Sequence, residues 1–85
     1  MTEERKLEIL AALDNERIIH PNDDFVFRLA CAVVAKGFGY KSRADWTDKV
    51  REKKLVDYGI YGDDTEKAKE NYKAIIKKWE EEDEI

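Results

Sequence analysis

The segment Gly37-Phe-Gly-Tyr-Lys41-Ser42 follows an apolar run and precedes a helix start, which is the order of parts in a phosphate-binding loop. Its spacing does not fit that chemistry. Such a loop needs a glycine directly before the lysine and another five positions earlier, and this chain has Tyr40 and Ala35 there. The rest of the chain also lacks the length for a wound parallel sheet. What survives is a weak anion site: the first amides of a helix at residues 42–44, with Lys41 and Arg43 beside them.

His20, Asp23 and Asp24 offer three metal ligands by count. The two aspartates are more economically read as acids in the first turn of a helix, and a zinc site normally draws on further Cys or His donors. The chain has one cysteine and one histidine, so a Cys/His zinc framework and an internal disulfide are both excluded. His20 as a general base has no nearby Ser or Cys nucleophile with an orienting partner. Carboxylates are abundant only because charge is abundant, at 42% of residues. The sequence therefore predicts no catalysis, no metal and no cofactor.

The basic interval is more informative. Lys36, Lys41, Arg43, Lys49, Arg51, Lys53 and Lys54 lie in a chain of net charge -4, with Tyr40 and Trp46 among them. Acidic and basic blocks alternate along the sequence, so an acidic protein can still carry a local basic face. Tyr40, Trp46, Tyr58 and Tyr61 exceed the tyrosine and tryptophan that a small core easily encloses, and such residues anchor interfaces while keeping their polar tips paired. Tyr40, Lys41, Arg43, Trp46, Lys49, Arg51 and Lys53 are accordingly the predicted contact surface of a non-enzymatic module that binds a protein partner. Nucleic acid is the alternative partner, reached through the third helix. Against it, the join between the second and third helices is longer than the three or four residues of a helix-turn-helix, and Asp45, Asp48 and Glu52 interrupt the basic face. Self-association is left open.

These residues must be positioned by helices. Thr2 can cap a first helix with Glu3 and Glu4 in its opening turn, carrying Leu7, Leu10 and Leu13 to about Asp14. Residues 16–21 read as a connection ending at Pro21, with Ile18 or Ile19 plugging the core edge. Asn22 is a suitable cap for residues 25–35, which hold one charge, Arg28, and form the apolar centre of the chain. Phe25-Val26-Phe27 and Val33-Val34 favour a strand there, whereas the alanines, the cap signals and the length of the run favour helix. Gly37 and Gly39 stop it. Ser42 and Asp45 form a capping-box pattern, with Asp45 in place of the commoner Glu.

Trp46 and Val50 share a face of the third helix that Leu55 does not, so that helix should end or bend near Lys53-Lys54, with Leu55, Val56, Tyr58 and Ile60 packing from a shorter turn. Asp63 or Asp64 then caps a fourth helix whose Ala68, Tyr72, Ile75, Ile76 and Trp79 line one face. The result is an all-α single domain over residues 1–85: a small bundle of about four helices, near 3–14, 23–36, 43–54 and 64–81, around a central apolar second helix, with fraying at residues 82–85. Cys31 reads as a small buried hydrophobe. The start of the chain shows no apolar leader after its charges, and no stretch approaches the roughly 20 apolar residues of a membrane span, so a cytoplasmic location is expected.

Overall fold

Thr2 adopts extended backbone and its hydroxyl accepts the Arg5 amide, so the first helix, α1, opens where a threonine can satisfy an otherwise orphan donor. A computed structural model describes residues 1–55 and 64–83. It contains α1 (Glu3–Ile19), a short 3₁₀ turn (Pro21–Asp23), α2 (Asp24–Gly37), α3 (Arg43–Lys53) and α4 (Thr65–Asp83), with no strand among the described residues. The fold is an all-α bundle of four helices, as the periodicity predicts.

Its centre differs from the expectation. The central helix is α1, which packs extensively against both α2 and α4 and also touches α3. Leu7, Leu10, Ala11, Ala12 and Ile18 of α1 are buried, whereas the only buried residues of α2 are Cys31 and Ala35. The expected order is thus reversed for a geometric reason. Small residues at Ala11 and Ala12 let neighbouring helices approach α1 from two sides, while an all-round apolar helix such as α2 is fully enclosed only if partners surround it. Leu7, Leu10, Ala11, Ala12, Cys31, Ala35, Trp46, Val50 and Ile75 form one core cluster, flanked by Leu13, Val34, Phe38, Tyr40, Leu55, Tyr72 and Trp79.

The boundaries bear out some local signals and correct others. Residues 16–19, expected as a connection, complete α1; the His20 amide donates to the Glu16 carbonyl before Pro21 ends the helix. Ile18 does plug the core. Asn22 lies inside the 3₁₀ turn rather than capping α2, and Asp23 takes the cap position without a side-chain capping bond. α2 ends in a Schellman motif: the Gly39 amide donates to the Lys36 carbonyl and the Tyr40 amide to that of Ala35, with Gly39 at φ +92°. The glycines that superficially resemble a phosphate loop are therefore a helix stop.

α3 ends at Lys53 as expected, followed by Lys54 in the left-handed region, and Leu55 is half-buried against the core. The expected packing of Val56, Tyr58 and Ile60, and the placement of Tyr61 and Asp63, lie outside the described residues. Asp64 caps α4 by accepting the Lys67 amide at 3.1 Å, and the helix continues to Asp83, beyond the expected end at residue 81.

Candidate functional site

Ser42 and Asp45 set the start of α3 and with it the predicted basic face. The Ser42 hydroxyl accepts the Asp45 amide at 3.2 Å, and the Asp45 carboxylate turns back to accept the Lys41 amide at 2.9 Å. That amide, joined by the Lys49 ammonium, holds the Asp45 carboxyl below its ordinary range. The cap is the capping-box logic of the sequence with the return bond shifted to Lys41. The chain's own oxygens thus engage the amides of Lys41 and Asp45, which flank the first-turn amides at residues 42–44 predicted as a weak anion site, and place the Asp45 carboxylate beside them.

The structure brings the predicted contact residues to one region but gives them different roles. Trp46 is 1% exposed and fills the core, so it offers no surface to a partner. Tyr40 is half-buried against that core, with the Lys49 ammonium 5.8 Å from its ring centre. Four of the five predicted cations already face a carboxylate: Arg43 with Asp14 at 2.7 Å, Lys49 with Asp45 at 3.0 Å, Arg51 with Asp48 at 3.3 Å and Lys53 with Glu3 at 3.6 Å. Lys41 is exposed and, like Lys36, forms no ion pair among the described residues.

Beside this face a cleft of about 660 Å³ opens between α1, α2 and the start of α3, with Asp14, Arg17, Cys31, Tyr40, Arg43 and Trp46 among its walls. Asp14 is almost wholly buried and joins a charge chain across three helices. Its Oδ1 receives Arg43 and, at 3.4 Å, Arg17; Arg17 reaches Asp24 at 3.3 Å, and Asp24 holds Arg28. Asp24–Arg28 and Asp14–Arg17 are local helical spacings of four and three, the first within a helix the sequence predicts; the links between helices, Arg43–Asp14 and Arg17–Asp24, required the fold. Cys31 is buried as expected, and desolvation pushes its thiol up to about 11, which keeps it protonated and poorly nucleophilic near neutrality.

His20 does not converge with Asp23 and Asp24. It sits 3.2 Å from Glu16 and stacks on Phe27 with ring centres 6.0 Å apart, while Asp24 is engaged by arginines. Among the described residues, no group of three Cys, His, Asp or Glu side chains is arranged to hold a metal, and no helix is long and apolar enough to cross a membrane.

A surface that the sequence reading assigned to the core proves to face solvent. Phe25, Val26, Leu29 and Val33 are 75%, 59%, 53% and 63% exposed. Spacings of four place Phe25, Leu29 and Val33 on one stripe of α2, with Val26 at its edge. Ala32 and Lys36 are exposed along the same side. The signal was present as an excess: residues 25–35 are apolar around nearly the whole helix, more than its described helical neighbours α1 and α3 cover when α1 occupies the centre.

No family model, no curated protein and no solved structure matches this chain.

Proposed function

We propose that this domain is a small, non-enzymatic protein-interaction module whose working surface is the apolar stripe of α2, bordered by Lys36 and by Lys41 at the start of α3. The observation that carries this reading is the contiguity of Phe25, Val26, Leu29 and Val33, each more than half exposed, on a helix whose opposite side enters the core. Single exposed apolar residues are ordinary, whereas a contiguous patch rimmed by polar groups marks an interaction site. The predicted basic surface contributes its edge rather than its centre. Pairing of Arg43, Lys49, Arg51 and Lys53 with carboxylates lowers the potential left for a phosphate backbone, which favours a protein partner over nucleic acid.

Photo-crosslinking tests this reading. A benzophenone amino acid at Val33 is expected to give, in cells producing the chain, a protein adduct that survives nuclease treatment and is lost on Leu29→Glu. Absence of an adduct, or an adduct removed by nuclease, would overturn it.

A further inference from the structure

The occupant of the α2 stripe follows from its symmetry and its charges, given the reading of that stripe as a protein-binding face. We propose that it is a second copy of this chain, packed through α2 in antiparallel register about a two-fold axis at Leu29.

An antiparallel pair centred on Leu29 sets Leu29 against the partner's Leu29, Phe25 against the partner's Val33, and Val26 against the partner's Ala32. The pairing matches large side chains with smaller ones, and exposed Ala32 leaves room for a β-branched neighbour. Such self-complementarity is what an isologous interface requires, because each contact must be made twice.

Opposite charges flank the two ends of α2, Asp23 at the cap before the helix and Lys36 in its last turn. Asp23 lies six residues before Leu29 and Lys36 seven residues after it, so at about 1.5 Å rise per residue the antiparallel pair brings each Lys36 within about 1.5 Å, along the axis, of the partner's Asp23. Neither side chain forms an ion pair among the described residues. Both are exposed. Arg28, the other cation of α2, is paired with Asp24 on its own helix, and that carboxylate offsets its charge near the axis. A parallel pair would instead oppose Asp23 to Asp23 and Lys36 to Lys36, so charge selects the antiparallel register.

The stripe offers Phe25, Val26, Leu29, Ala32 and Val33, few beside the roughly 20–30 residues a side of a standard stable interface. The dimer is therefore reversible and concentration-dependent.

Sedimentation equilibrium on the purified chain from micromolar to millimolar concentration reads this directly. The apparent mass should rise from 10.0 kDa toward twice that value, Leu29→Glu should hold the monomer mass with an unchanged helical circular dichroism spectrum, and Lys36→Asp should move the midpoint at least several-fold higher. The double variant Asp23→Lys with Lys36→Asp restores opposite charges and should recover the original midpoint. Mild oxidation supplies the register: Leu29→Cys should link to its own copy, whereas Phe25→Cys should not, since its two copies would lie about 12 Å apart along the axis. A monomer mass at every concentration, dimerisation indifferent to Leu29→Glu, or efficient linking of Phe25→Cys to itself would overturn the antiparallel dimer. If the purified chain is monomeric yet the Val33 crosslinker captures a different protein and loses it on Leu29→Glu, this inference fails while the protein-binding reading stands; loss of both fails both.

Discussion

Asn15 is the residue whose position is hardest to reconcile with stability. It is 0% exposed, and neither its amide nitrogen nor its carbonyl oxygen has a hydrogen-bond partner among the described residues. Leaving a buried polar group unpaired costs about 1–3 kcal/mol. Asn15→Leu keeps the branching of the side chain while removing its polar atoms, and is expected to raise stability by about 1 kcal/mol after some repacking strain; a urea titration measures it, and a lowered midpoint would refute the account. Neighbouring Asp14 contrasts with it, since one of its oxygens is held by Arg43 and Arg17 while Oδ2 has no partner among the described residues. Glu8 shows a fuller solution: it is buried but binds the Lys78 ammonium and accepts the Trp79 indole N–H at 3.1 Å, with the Arg5 guanidinium also nearby.

At the scale of the elements, caps decide where each helix begins and ends. Thr2, Ser42 and Asp64 each accept an amide three residues on. Ser42→Ala should cost about 1 kcal/mol, seen as a lower thermal midpoint, and because α3 carries buried Trp46 and Val50 the loss should spread to near-ultraviolet signals of tryptophan packing. A substitution without effect would mean that the Asp45 return bond alone holds the turn. Helix α4 is joined to α1 through Lys78, whose ammonium contacts Glu4 and Glu8, and through Arg5, which reaches Glu82 at 3.2 Å and lies over Trp79. Of these, Arg5 gives Glu82, at the acidic end of α4, a cationic partner that the helix's own order of Lys before Glu supplies only weakly.

For the whole molecule, the same contacts impose a pH window. Hydrogen bonding and attraction from Lys78 hold the Glu4 carboxyl below its ordinary 4.5, and Asp45 is likewise held below 3.8, so their contributions are present above those values and are lost as pH falls through the lower folded values. Hydrogen bonds to Glu4 and Glu8 raise the Lys78 ammonium above 10.5, so its contribution is complete below that pH and lost as pH rises through the raised value. Stability should therefore be flat between about pH 5 and pH 10 with respect to these groups and fall on either side, modestly because the pairs are solvent-screened. Urea midpoints at constant ionic strength check this; a midpoint that increases on acidification below pH 4 would contradict it. The radius of gyration, 12.1 Å, matches the roughly 12 Å of a well-packed chain of this length, so the exposed stripe of α2 belongs to a compact molecule and not to a loosened one.

Local physics was readable from residue order alone. The helical spacing of Ala68, Tyr72, Ile75 and Trp79, the Ser42 cap, the glycine stop after α2 and the end of α3 near Lys53 each depend on neighbours within a few positions, where periodicity and capping act. The solvent face of α2 and the core position of Trp46 depended on tertiary structure, because hydrophobicity fixes what a side chain prefers and not how many neighbours the fold can place around it. Only the assembled bundle set α1, with its small Ala11 and Ala12, at the centre, and so left Phe25, Val26, Leu29 and Val33 outside. It likewise turned most of the predicted cations toward carboxylates distant in sequence or one turn away, since charge pairing is settled by which helix faces meet.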